Sequence, residues 1–284
     1  NLTEEVATMR FLRSSSSKDI WILVFIFLIF SMAIGTAGYF FFQNQKRHLV
    51  QEKRDHLRSI ADLKVGQIHN WRQERLAEAT GILENPFIGN YIQEWLKSPG
   101  KIGLKKMISD WMVTQRKHFQ YERVSLLDLK GTVRLSFPEG EEVLGPVTKR
   151  LASEAIREKR VILSEIYRGF NTGKIRLSLV VPILIRKGQD AFPVGVLLLR
   201  IDPDQFLYPL IQSWPTPSET SETLLVRRQG EEVEFLNELR HRKDTALSLR
   251  IPLSKKQVPA VMAVHGKETI EEGMDYRGAP VLAA

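Results

Sequence analysis

Gly169-Phe170-Asn171-Thr172-Gly173-Lys174 is the first stretch whose spacing invites a chemical reading, because glycines followed by lysine are how backbone N–H groups and a cation cradle phosphate. The run is one residue short between its glycines, and Ile175 stands where a hydroxyl residue would meet Mg²⁺. A plain turn between strands is the better reading. The histidines, His48, His56, His69, His118, His241 and His265, show no pair at metal-ligand spacing, and there is no cysteine, so thiolate metal sites, disulfides and cysteine nucleophiles are excluded. No Gly-x-Ser-x-Gly elbow occurs, and nothing marks a nucleophile. Glu139 to Glu142 reads as a solvated turn. These residues are therefore expected to bind and not to catalyse, with no metal and no cofactor.

A small-molecule pocket needs a few polar or cationic groups projecting from a sheet beside aromatics. Tyr121, Asp128, Tyr167, Arg168, Arg176, Ser178 and Arg200 satisfy that description, each on an expected strand or at its end. Strand alternation puts Arg176 and Ser178 on one face. If two of the arginines converge, their forked donors suit an anionic ligand such as a carboxylate.

The elements that must carry these groups follow from composition and periodicity. In 284 residues, 43% hydrophobic and 26% charged, a real core is expected together with an anchor and one or two modest domains. The net charge of +8 is spread among 33 acids and forms no aromatic-interleaved stripe, which argues against nucleic acid as a partner. The chain begins at Asn1 and stops within the apolar run Ala279 to Ala284, so both ends read as cut.

Ile20 to Phe42 contains no charged side chain. As a helix it is about 34 Å long, enough to span a bilayer. Trp21 and Tyr39 to Phe42 sit where interfacial rings are favoured. It is too long for a cleaved signal peptide and no small-residue cleavage site follows. Residues 1–19 are then a cytoplasmic segment. The positive-inside count disagrees, since Lys46, Arg47, Lys53, Arg54 and Arg58 follow the span and only Arg10, Arg13 and Lys18 precede it; long domains, however, are translocated largely regardless of charge.

Residues 43–84 continue as an amphipathic stalk helix, with Leu57, Ala61, Val65, Ile68, Leu76, Ala79 and Leu83 at three- and four-residue spacing. The stalk either pairs with its copy in a homodimer or lies along its own domain. Asn85-Pro86 ends it. Helices are expected over 87–97 and 104–118, a hairpin over 124–136, a helix over 146–159, and strands over 161–167, 174–186 and 193–201. Together they make an α+β unit, 85–213, with an antiparallel sheet and helices on one face, of PAS-like size. A short helix to about Ser213 and the stiff Trp214-Pro215-Thr216-Pro217-Ser218 lead to a second, incomplete unit, 214–284. Its expected elements are strands at 224–228 and 233–236, a helix at 258–265 and a strand from 278.

On these residues the chain resembles the double Cache sensor regions of bacterial transmembrane receptors, especially those of PAS-containing sensor histidine kinases. The resemblance is carried by Ile60 to Val65 with Ile68, Trp71, Glu74 and Arg75; by Leu126-Leu127-Asp128 with Gly131; and by Pro193 to Pro203. It continues through Leu207 to Gln212, Trp214 to Ser218, Leu224 to Arg228, Phe235 to Arg240 and Asp275 to Gly278. It implies two tandem PAS-like units outside the bacterial inner membrane, a membrane-distal pocket on the first sheet, and signalling across the membrane. The implied output is a histidine kinase of a two-component system; a diguanylate cyclase or chemoreceptor is the alternative within the class, and a membrane-tethered protein-binding scaffold the alternative outside it. Amino-acid-sensing members carry an Arg-x-Trp-Tyr cluster near the first strands. Here Arg123 is followed by Val124, Ser125 and Leu126, which departs from that pattern.

Overall fold

The computed structural model describes residues 17–284. The expected cytoplasmic segment, 1–19, falls mostly outside them. The chain divides after Leu57 into two units. Helix α1, Ser17–Leu83, is continuous across the expected boundary between span and stalk. In the first unit it carries an apolar stretch with a mean hydropathy of 2.5, none of it buried, long and apolar enough to cross a membrane.

The second unit is α+β. After α1 come α2 (Ile88–Lys97), α3 (Ile102–His118), β1 (Arg123–Leu127), β2 (Val133–Phe137) and α4 (Pro146–Glu158). There follow β3 (Ile162–Leu163), β4 (Tyr167–Arg168), β5 (Ile175–Lys187), β6 (Asp190–Ile201) and α5 (Leu207–Gln212). The strands form one antiparallel sheet in the order β2-β1-β6-β5-β3, with β4 also paired to β5.

Alternation sorts the sheet's residues into two faces. Leu177, Leu179, Val181, Leu197 and Leu199 pack with Trp71 and Ala79 of α1, Ile92 and Trp95 of α2, and Ile108 and Met112 of α3. Val180, Val196, Leu198 and Leu127 pack with Leu151, Ala152 and Ala155 of α4. Helices thus cover both faces, where the sequence suggested one. The apolar runs of β5 and β6 required this, because a strand apolar on both sides must be buried on both. Gly89 lets α2 approach β5 closely: a Cβ there would collide with the Leu184 carbonyl oxygen.

The expected strand over 161–167 is split, and the split matters for the site. Ile162 faces Val180 and Leu163 faces Leu179. An unbroken ladder would set Tyr167 opposite Ile175, on the α1 side. Instead Tyr167 pairs with Arg176. One extra residue lies between β3 and β4, where Ser164 Oγ accepts the Ser178 N–H at 2.8 Å, and it turns Tyr167 to the α4 face.

Residues 214–284 contain the sheet β7-β8-β9 (Val226–Gln229, Glu232–Phe235, Arg250–Pro252), α6 (Pro259–Val264), and the hairpin β10-β11 (Glu271–Met274, Pro280–Ala283). Val233, Phe235, Ile251 and Val261 are its core. β9 and β10 were not expected: β9 is three residues long, and Glu271-Glu272-Gly273-Met274 lacks the apolar alternation that marks a strand.

Candidate functional site

Three neighbouring strands set the floor of the site. Arg200 of β6 lies directly opposite Arg123 of β1 and Ser178 of β5. All three share the α4 face, beyond the end of the Val180–Leu198 apolar layer. Two like charges directly opposite each other across a ladder destabilise it, so this row is held together by other groups.

Arg200 is the hub. Its side chain is only 4% exposed, and its Nε donates to Glu142 Oε1 at 2.9 Å; the Glu142 side chain is 6% exposed. Arg200 Nη1 donates to Thr148 Oγ1 at 3.3 Å and Ser178 Oγ at 3.2 Å, and also to the Tyr167 hydroxyl. The guanidinium sits over the Tyr167 ring, 5.9 Å from its centroid, in cation–π range. Ser125 donates to the other Glu142 oxygen and lies 3.0 Å from Ser136. Arg123 Nη1 donates to Ser136 Oγ at 2.8 Å and to the Pro138 carbonyl at 2.9 Å. The result is one chain of polar contacts from Arg123 to Ser178.

Beside this chain is a cavity of about 220 Å³. That is room for a small molecule or several waters. Its wall includes Arg123, Arg168, Arg176, Arg200, Glu142 and Tyr167. The first turn of α4, from Gly145 to Thr148, closes one side. Gly145 offers no side-chain cap there, so the N–H groups and dipole of that turn favour negative charge. Phe170 covers Gly145, whose absent Cβ would lie 2.7 Å from the Phe170 Cβ.

The four arginines differ in their partners. Arg200 is paired with Glu142, and Arg176 forms a two-pronged pair with Glu122 at 2.9 and 3.0 Å. Arg168 donates to the carbonyls of Gly173 and Ala246, both at 2.9 Å, and to Ser248 Oγ at 3.2 Å. Among the described residues, Arg123 and Arg168 form no ion pair and meet only neutral acceptors.

Of the seven candidates read from sequence, Tyr167, Arg168, Arg176 and Arg200 line the cavity, and Ser178 lies directly beneath it. Tyr121 and Asp128 lie elsewhere. Tyr121 is buried against α1, where its hydroxyl donates to Glu78 at 3.1 Å. Burial and the Glu78 charge push its phenol up from the ordinary value. Asp128 closes the β1–β2 turn, accepting the N–H groups of Lys130 and Thr132 at 2.9 Å and pairing with Arg134. Burial opposes its ionisation, but these bonds outweigh that and hold its carboxyl below the ordinary value.

Arg123, Glu142 and Thr148 are the members that sequence reasoning missed. Glu142 corrects the reading of 139–142 as solvated turn, since its carboxylate turns inward to Arg200. A signal existed in the polar interruptions Ser125, Ser178 and Arg200 of otherwise apolar strands, which alternation and register place on one face.

No protein-family model matches the chain, and no curated protein matches it. Among solved structures it is similar to the ligand-binding domain of the Campylobacter jejuni chemoreceptor Tlp3, solved with 4-methylisoleucine: 16% identity, TM-score 0.44, 57% of this chain and 62% of that one. It is also similar to the ligand-binding domain of the Pseudomonas fluorescens chemoreceptor CtaA, solved with L-alanine, at 14% identity and TM-score 0.47, covering 80% and 87% of the two chains. A third is that of the Pseudomonas aeruginosa amino acid chemoreceptor PctC, solved with GABA: 17% identity, TM-score 0.47, and 78% and 86% covered.

Proposed function

We propose that this chain is the extracytoplasmic sensing region of a membrane-anchored bacterial receptor of the double Cache type, and that it binds a small anionic metabolite in the cavity between β1, β4–β6 and α4. The observation that carries the proposal is the cation excess of that wall. Four guanidinium groups meet there, two face each other across one ladder, and two have no carboxylate partner among the described residues. A ligand carboxylate relieves that repulsion and satisfies forked donors better than water does. The exposed apolar stretch of α1 supplies the anchor, and the stalk supports its own domain through Trp71 and Ala79, with a homodimer contact along its remaining face. A histidine kinase is the proposed output, with a diguanylate cyclase or chemoreceptor domain as the alternative.

The test is thermal melting of the full chain in nanodiscs with acetate, malonate, succinate and neutral amides of the same size. A saturable rise in Tm with carboxylates alone is expected, because a ligand that binds only the folded state adds about 2.7 kcal/mol at a hundred times its Kd. A flat response to all carboxylates sinks the anion reading and favours a tethered scaffold. Sequencing the gene past Ala284 identifies the output: kinase signatures support the histidine kinase, cyclase or chemotaxis signatures the alternatives.

A further inference from the structure

The segment Glu165-Ile166-Tyr167-Arg168 is held from two sides. Tyr167 points into the site, where its hydroxyl meets Arg200, Ser178 at 2.8 Å and Thr148 at 3.4 Å. Its neighbours are gripped by residues 214–284. Arg227 of β7 donates to Glu165 Oε2 at 2.7 Å and to the Ile166 carbonyl at 3.2 Å. Arg168 reaches the Ala246 carbonyl and Ser248 while also forming part of the cavity wall.

The segment is also weakly held by its own ladder. β3 and β4 are two residues each, and the extra residue between them leaves Glu165 and Ile166 outside the regular pairing. Short, irregular edge pairing opens or shifts at low cost compared with the continuous β5–β6 ladder.

We propose that Glu165–Arg168 is the coupling element through which occupancy of the cavity is passed to residues 214–284, with Arg168 shared between the ligand site and Ala246–Ser248. This rests on the cavity being the ligand site. An anion drawing on Arg168 and Tyr167 changes the contacts that Arg168 and Ile166 make with Ala246, Ser248 and Arg227. By linkage, changes in those contacts alter anion affinity by the same factor.

Amide hydrogen exchange on the full chain in nanodiscs tests this, using malonate as probe and the Tyr167→Phe variant without any ligand. Malonate is expected to slow exchange over 145–148 and 167–176 and also to change it at 224–236 and 245–250 by at least about fivefold, the low end of ordinary coupling between sites. Tyr167→Phe removes the hydroxyl contacts of the segment, and it is expected to change exchange at 245–250 by a similar factor. Ala152→Gly, which loosens α4 away from the segment, leaves 245–250 unchanged.

Malonate protection confined to the cavity wall keeps the site and overturns the coupling. If malonate changes nothing anywhere, the anion reading fails for this probe and the variants decide: a response at 245–250 to Tyr167→Phe alone supports the coupling element. No response there, or an equal response to Ala152→Gly, overturns it.

Discussion

Against each of the two main sheets a glutamate is buried under arginine, Glu234 from a strand and Glu142 from the loop after β2, and the two arrangements differ in what is left over. In β8, Glu234 has a 4% exposed side chain and receives both prongs of Arg227, at 2.9 and 2.6 Å, and both prongs of Arg250, at 3.1 and 2.8 Å. Each oxygen is saturated by a forked donor, and both guanidinium groups reach outward, 26% and 47% exposed. At the first sheet the loop residue Glu142 takes one bond from Arg200 and one from Ser125. The rest of Arg200 is spent on neutral hydroxyls beside a cavity. The first arrangement is complete as it stands; the second keeps cationic capacity in reserve. A saturated clamp stabilises a fold, while hydroxyl-bound guanidinium beside a void fits the proposed role of receiving an anion.

The largest expected effect tests that difference directly. Arg200→Met leaves the Glu142 carboxylate buried with no guanidinium, and removing one partner of a buried pair costs about 3–5 kcal/mol. Urea unfolding reads that loss, and the carboxylate-dependent rise in Tm is expected to vanish with it. Glu234→Gln keeps the shape of the other clamp and loses its charge. A loss of about 2 kcal/mol is expected, the usual worth of a bond to a charged group, with the carboxylate-dependent rise in Tm kept and only its affinity altered, through Arg227's hold on Glu165 and Ile166. Loss of that response in Glu234→Gln would break the comparison.

Acid sharpens it. Burial pushes the Glu234 carboxyl up, but the bonds and charges of Arg227 and Arg250 outweigh burial and hold it below its ordinary value of 4.5. The unfolded state therefore binds more protons in that range. The stability Glu234 contributes is complete above about pH 4.5 and is lost as pH falls through the lower folded value. Asp275, held down by Arg277 and the Ala279 and Arg277 N–H groups against its burial, has the same sign.

Glu78 in the helical layer has the opposite sign. Its burial outweighs Arg75 and Tyr121 and raises its carboxyl, so its unfavourable contribution at neutral pH disappears as pH falls. Site-resolved amide exchange between pH 6 and 3, ranges chosen to bracket ordinary carboxylates, is expected to show β7–β9 loosening before the layer around Glu78 and Tyr121.

The smallest effect expected is at Asp128. Asp128→Ala costs about 1 kcal/mol through its turn bonds and leaves carboxylate binding unchanged, since Asp128 lies away from the cavity. A weakened carboxylate response in that variant would mean that the site extends to the hairpin.

Several features were legible in the residues alone because each is local. Ile20 to Phe42 lacks charge over a bilayer's length, and a run of that kind forms a helix whatever follows it. The strands of the first sheet were placed to within a few residues by β-rich runs between turn signals, and α4 by Pro146 in its first turn. Arg176, Ser178 and Arg200 stood out because polar side chains in apolar strands need partners.

What tertiary structure alone decided was which polar groups meet. No local pattern announces that one additional residue between β3 and β4 turns Tyr167 toward Arg200; that follows from the pairing of Ile162 with Val180 and of Tyr167 with Arg176. Nor does Glu139-Gly140-Glu141-Glu142 announce that its last carboxylate is buried. A charge run reads as solvated until a buried arginine, 58 positions away, supplies the partner. Periodicity fixes the face on which a side chain lies; register and long-range pairing fix what it faces.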